Sequence, residues 1–211
     1  MPKVKVVNSK IGYNLVADYY ASKEKYWDSF EKDRVLPMLG DLKDKKVLDV
    51  GAGTGRLALR MVKAGAQVTA LDISQEMLKK FDVPCLPSEA LAEGGSVFNV
   101  VVGDAENLPF EDESFDIVVA TFLIVHLKDL RKFFDEAYRV LKPGGLFLVT
   151  NINQRKAPEI KTSEGLIEIE SYYHRPEAVV KSLEELAFSI KKNEFVKEGD
   201  NWVNQIILAT R

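Results

Sequence analysis

Apolar positions along this chain recur with two different periods that alternate. Short, predominantly apolar runs at Val47–Val50, Gln67–Leu71, Phe98–Val102, Phe115–Thr121 and Leu146–Ile152 predict strands. Between them, Gly55–Ala64, the segment from Ser74 to Phe81, and Leu130–Leu141 carry apolar residues at helical spacing. Gly65 stops the first of these helices, Ser74 is placed to cap the second, and Lys142–Pro143–Gly144–Gly145 stops the third. Such alternation predicts a parallel sheet covered by helices on both faces. Val100–Val102 and Ile117–Ala120 are continuously apolar, as strands buried on both faces should be. Ahead of the first strand, Leu15, Tyr19, Tyr26 and Phe30 within residues 14–36 predict one or two amphipathic helices. Pro84, Pro87 and Gly94–Gly95 bracket an irregular region with room for a short helix near Ser88–Ala92. At the other end, Pro176 opens a helix running to about Ala187. Strands near Phe188–Val196 and Val203–Thr210, joined through Gly199–Asp200–Asn201, must then pair antiparallel.

Composition narrows the function classes. The 211 residues suffice for one domain with a full core, and 46% are hydrophobic. The net charge of −3 and the lack of a basic run disfavour binding along a nucleic-acid backbone. Cys85 is the only cysteine, so no internal disulfide can form, and it has no histidine cluster with which to hold a metal; its simplest reading is a buried or incidental thiol. No apolar run approaches the ~20 residues of a membrane helix, and Met1–Lys5 lacks the apolar core of a signal peptide. A cytoplasmic protein, monomeric or homodimeric, is the expectation.

The chemistry centres on Asp49–Val50–Gly51–Ala52–Gly53–Thr54–Gly55–Arg56, where a strand runs into a turn with glycine at every second position. Glycine permits positive φ and close approach of a ligand, and the helix that follows offers free N–H groups and a partial positive charge. The dinucleotide fingerprint needs glycine first, third and sixth, and the sixth position from Gly51 is Arg56. Asp49, two residues ahead of the first glycine, completes an Asp-x-Gly-x-Gly-x-Gly pattern that resembles the class I S-adenosylmethionine (SAM) dependent methyltransferases of small-molecule type, similar to those of ubiquinone and menaquinone biosynthesis.

That resemblance, spanning residues 13 to 211, implies a Rossmann-like doubly wound α/β fold: a three-layer α/β/α sandwich on a seven-stranded sheet with its last strand antiparallel. It implies a single domain over 1–211, with lid helices at about 13–40 and a substrate-facing insertion at about 153–175. The glycine turn, with Gly51, Ala52, Gly53, Gly55 and Arg56, would wrap the methionine end of SAM, and Asp49 would lie near its amine. Asp72 ends the second strand 21 residues after Gly51, where an acid accepts from ribose hydroxyls, although dehydrogenases use the same device and a helix-capping role also fits. Ile73 and Met77 would pack on adenine, Met77 reading equally well as core. In Gly103–Asp104–Ala105–Glu106–Asn107–Leu108–Pro109–Phe110 a buried Asp104 would take the adenine amine and the next backbone N–H a ring nitrogen. Thr121, Phe122, Val125 and His126 fall in the loop that the resemblance places under the methionine moiety, facing substrate. Tyr13, Ala17 and Tyr20 fit a lid-helix pattern, with the Tyr20 hydroxyl near the SAM carboxylate or the ring simply packed.

A methyl on a sulfonium leaves behind a neutral group, so the main task is alignment and exclusion of water. Where the acceptor must lose a proton, His126 is the candidate base, His174 being the only other histidine. Gly165 with alternating Leu166, Glu168 and Glu170 predicts a hairpin or edge strand over the pocket. Arg155, Lys156 and Arg175 could receive an acidic substrate, with a solvated surface the plainer reading. The expectation is methyl transfer from SAM to a small molecule, giving S-adenosylhomocysteine (SAH). An NAD(P)-dependent oxidoreductase and a non-catalytic SAM-binding protein are the alternatives.

Overall fold

A computed structural model describes residues 4–31, 33–81 and 98–211. The segment around Pro84–Gly95, with Cys85 and the short helix expected near Ser88–Ala92, lies outside the described residues. In chain order the elements are β1 (Lys5–Val7), α1 (Ser9–Ala21), α2 (Glu24–Glu31), α3 (Val35–Leu39), β2 (Lys46–Val50), α4 (Arg56–Lys63), β3 (Gln67–Asp72), α5 (Gln75–Leu78) and β4 (Phe98–Val102). They continue with β5 (Phe115–Ala120), α6 (Leu130–Val140), β6 (Leu141–Ile152), β7 (Glu159–Thr162), β8 (Gly165–Ile169), α7 (Pro176–Glu185), β9 (Ser189–Glu198) and β10 (Asn201–Thr210).

Seven strands form the main sheet in the order β4-β3-β2-β5-β6-β10-β9. β2 to β6 pair in parallel, and β10 runs antiparallel to both of its neighbours. The expected reversed last strand is therefore present, slotted between β6 and β9. Side-chain alternation along the central strands builds two cores. Val47, Ile117, Val119, Leu148, Ile206 and Leu208 face α3 and α4. Leu48, Val118, Ala120, Phe147, Val149 and Ile207 face α6 and α7. Burial on both faces accounts for the lack of polar alternation in β5.

β4 departs from the reading of Val100–Val102 as a doubly buried strand. Among the described residues it is an edge strand paired with β3 alone, and Val100 and Val102 are 44% and 53% exposed. An apolar run reports β-propensity, and the number of covered faces depends on position in the sheet. Lys142–Pro143–Gly144–Gly145 also differs from a plain turn. α6 ends at Val140, Leu141 already pairs with Phe115, and the four residues bulge out before Leu146 pairs with Ile117. Ser74 caps α5 as expected, its hydroxyl accepting from Met77 N–H at 3.2 Å and donating to Asn14 Oδ1 at 2.7 Å.

A second sheet, β1-β8-β7, lies outside the main one. The hairpin expected around Gly165 is its antiparallel β7–β8 pair, and β1 adds to β8 in parallel, Lys5 opposite Ile167. Val7, Ile167 and Ile169 pack with Val16 of α1. A Cβ on Gly12 would come within 2.6 Å of the Ile169 side chain, so the backbone of α1 lies directly against that side chain of β8. The first helix and the 159–169 hairpin are thus one packed unit, set at the carboxyl ends of the main-sheet strands.

Candidate functional site

The chain leaves β2 for β3 and β4 on one side, and returns to β5 and β6 on the other. At that reversal the carboxyl ends of β2 and β5 diverge and open a crevice, the usual ligand site of such sheets. The crevice is walled by the glycine turn, the ends of β3 and β4, the loop after β5, and α1.

The turn is shaped from within. Gly51, Gly53 and Gly55 have φ of 74°, 60° and 88°. At Gly55 only a residue without a side chain fits, since a Cβ would lie 2.4 Å from the Phe81 ring. At Gly53 a Cβ would face the crevice, 3.3 Å from Met77 Cε and 3.9 Å from Tyr20 Cε1. Gly53→Val is therefore expected to fill the space meant for ligand and to strain the turn by about 1–3 kcal/mol. Wild-type SAH affinity in that variant by calorimetry would make the turn structural only.

Asp72, at the end of β3, ties this turn down. Its Oδ2 accepts Gly53 N–H at 2.8 Å and its Oδ1 accepts Ser74 N–H at 2.8 Å. A carboxylate has about four acceptor sites, so lone pairs remain for a ligand diol. Burial pushes the Asp72 carboxyl above the usual carboxylate range, against the pull of the Ser74 and Gly53 N–H groups. Asp49, at the end of β2, is 2% exposed, and its Oδ2 is buried with no hydrogen-bond partner. Burial raises its pKa to about 7, with the Arg56 guanidinium pulling it back and Glu31 and Asp72 adding to the rise.

Arg56 opens α4 and forms a bidentate pair with Glu31 of α2, at 2.8 and 2.9 Å, plus a 2.6 Å bond to Asp28. Its guanidinium also sits 5.7 Å from the centroid of the Phe122 ring. The glycine turn is thereby bolted to α2. Phe122 has φ of 59°, a left-handed conformation rare for an aromatic residue, and its N–H donates to Thr150 Oγ1 at 3.0 Å.

The crevice brings together Tyr20, Gly51, Gly53, Asp72, Ile73, Met77, Asp104, Ala105, Thr121, Phe122 and His126, all singled out from sequence. Asp49, Ala52 and Arg56 line a recess continuous with it behind the glycine turn. Three residues fall elsewhere. Gly55 supports the turn beneath Phe81, Val125 lines a neighbouring cavity, and Glu106 borders an outer recess beyond His126. Asp104 lines the crevice, but it is exposed where a buried carboxylate was expected. It follows the edge strand β4, and its Oδ1 accepts Glu106 N–H at 2.9 Å in a local turn. His174 is committed to structure, its Nε2 lying 3.0 and 2.9 Å from the Ile124 and Leu127 carbonyls.

Tyr13, Ser9, Leu123 and Leu127 also line the crevice. Tyr13 carried a signal, lying seven residues before Tyr20 and so on the same face of α1. Leu123 and Leu127 carried none, because an apolar loop residue reads the same over a ligand as over a core. Among the described residues no group of three or more His, Cys, Asp or Glu could hold a metal ion, and no helix is long and apolar enough to cross a membrane.

This chain resembles SAM-dependent methyltransferases in its fold and, over its central half, in its sequence. A family profile described as a methyltransferase domain matches residues 48–149, which run from β2 through most of β6. Among curated relatives, the ubiquinone/menaquinone biosynthesis C-methyltransferase UbiE of Cereibacter sphaeroides is 35% identical over 129 residues. That match covers 60% of this chain and 50% of the relative, so the chain spans about half the length of the protein it matches. A SAM-dependent methyltransferase from Mesorhizobium loti shares the fold at a TM-score of 0.69 and 18% identity, over 86% of this chain and 98% of its own. The [4+2]-cyclase SpnF shares it equally well, at 0.69 and 21% identity over 99% and 98%. The fold by itself is therefore compatible with more than one reaction.

Proposed function

We propose that the protein binds SAM in the crevice and transfers its methyl group to a small-molecule acceptor. One observation carries this reading: Asp49, Asp72 and Glu31 are buried around the glycine turn with one half-buried cation, Arg56, among them. Such an excess of acid attracts a cationic ligand and repels a pyrophosphate, which argues against a nicotinamide dinucleotide at the same turn. The unpartnered Oδ2 of Asp49 suits an ammonium group, and the free lone pairs of Asp72 suit ribose hydroxyls. Asp104 and the Ala105 N–H offer an acceptor and a donor for the adenine edge, with Ile73 and Met77 against its faces and Tyr20 near the carboxylate. When bound, SAM supplies a methyl on a positively charged sulfur. Thr121 and Phe122 would hold the methionine arm and keep water out, and α1, α2 and the 159–169 hairpin would form the lid. Transfer of labelled methyl from SAM into a small-molecule extract tests the reaction; binding of SAM with no transfer to any metabolite would leave a binding protein.

The raised pKa of Asp49 makes a second prediction. With its folded value near 7, above the ordinary carboxylate range, its contribution to the stability of the free protein is fully present below that ordinary range. It is lost as pH rises through 7, because burying the charged form is costly. Ligand binding has the opposite sign, since an ammonium group needs the carboxylate ionised. SAH affinity should fall below pH 7 by up to about tenfold per unit and level off above it. Asp49→Asn should flatten that profile. A wild-type affinity constant from pH 5.5 to 8 would show that Asp49 does not meet the ligand.

A further inference from the structure

Phe122 combines a strained backbone with a wide reach. Its side chain borders the crevice, the cavity beside it and the recess behind the glycine turn. The ring is packed from two sides. On one, the Arg56 guanidinium lies 5.7 Å from its centroid; on the other, Trp27 and Phe30 of α2 each lie at 6.2 Å. Trp27 carries the contact onward through the lid. It stacks on Tyr20 at 4.7 Å, Tyr20 meets Tyr13 edge-on at 5.7 Å, and the Tyr13 hydroxyl lies 2.7 Å from His126 Nε2. The Phe122 ring is thus the seat on which α2 rests against the loop after β5.

That seat depends on the φ of 59°. At a φ of ordinary sign the Cα–Cβ bond would leave in another direction, and the ring would not fill the gap between Arg56 and α2. Strain of this kind persists only where the surroundings hold it, and it gathers at ligand clamps. Here the backbone is held at its N–H, which donates to Thr150 Oγ1 at 3.0 Å. Thr150 is fully buried in β6, opposite Ile206 of β10, so its hydroxyl is a fixed point. Burying a hydroxyl is costly unless it is hydrogen-bonded, and the Phe122 N–H is its partner. Thr121 and Phe122 line the crevice; Thr150 stands behind that wall.

We propose that Thr150 is a positioning residue for the methyl-transfer site: its hydroxyl holds Phe122 in the left-handed conformation and so sets the ring against which α2 closes. The inference rests on the SAM reading, since the methionine arm is what the ring and α2 would enclose. Thr150 touches no ligand, and its whole effect on binding passes through Phe122.

Calorimetry with SAH tests this, with urea denaturation confirming that each variant is folded. Thr150→Val keeps the shape and removes the acceptor, and it should weaken SAH binding about tenfold as the Phe122 N–H loses its partner. Thr150→Ser keeps the hydroxyl and should stay within about threefold of wild type. Phe122→Ala should also lose about tenfold, and adding Thr150→Val to it should change affinity by less than about threefold, because the residue through which Thr150 acts is gone. Should Thr150→Val fail to fold, Thr150→Ala removes the same acceptor and takes its place in the cycle. Wild-type affinity in the valine variant, an equal loss in Thr150→Ser, or losses that multiply in the double variant would overturn the proposal with the cofactor reading intact. Absence of SAH binding to wild type would overturn both.

Discussion

Asp72→Ala is expected to abolish measurable SAH binding and to lower folding stability by about 2–5 kcal/mol. Both effects follow from one carboxylate with two duties. Toward the protein, Asp72 accepts the Gly53 and Ser74 N–H groups, and its removal leaves two buried donors unpaired at about 1–3 kcal/mol each. Toward the ligand, hydrogen bonds to a charged acceptor contribute about 1.5–3 kcal/mol apiece, so losing two of them costs at least about 100-fold in affinity. Asp72→Asn separates the two duties. Its amide oxygen retains one backbone acceptor, so stability should recover in part while affinity stays low. Calorimetry and chemical denaturation on both variants read the effects independently. An alanine variant that is less stable but binds SAH like wild type would confine Asp72 to holding the turn.

Arg56→Met should cost about 3–5 kcal/mol of stability. Glu31 is 2% exposed and receives two hydrogen bonds from the Arg56 guanidinium, so without Arg56 it is a buried, uncompensated charge. The double change Arg56→Met with Glu31→Met should recover most of the loss, because a buried pair replaced by apolar groups is often neutral. Removal of the cation that pulls Asp49 down should also move the midpoint of the SAH pH profile to higher pH. A single variant as stable as wild type in urea would mean that α2 is held to the glycine turn by other contacts.

Much of this could be read in the amino-acid sequence, for a physical reason. Strand ends are marked by local chemistry: an apolar run, then Asp49, Asp72 or Gly103–Asp104. In a parallel sheet those ends converge at one edge, so the crevice and most of its lining follow from order alone. What escaped depends on contacts distant in the chain. β1 is three residues long and gains its identity only from β8, some 160 positions on. Arg56 read as a ligand contact because its partners, Asp28 and Glu31, lie on a helix whose placement is tertiary. His126 read as a free base because the occupant of its Nε2, Tyr13, is 113 residues away. The exposure of Val100, Val102 and Asp104 follows from the edge position of β4, and sheet order is invisible to a count of apolar residues.

The central claim is that the crevice recognises an adenosyl group carrying a cationic methionine arm and excludes a dinucleotide. Isothermal titration of the protein at pH 7.5 with SAH, SAM, NAD and NADP tests it most directly. The account predicts saturable heat at one-to-one stoichiometry with SAH and SAM and none with NAD or NADP. Heat with NAD or NADP, or silence with both SAH and SAM from folded protein, would contradict it.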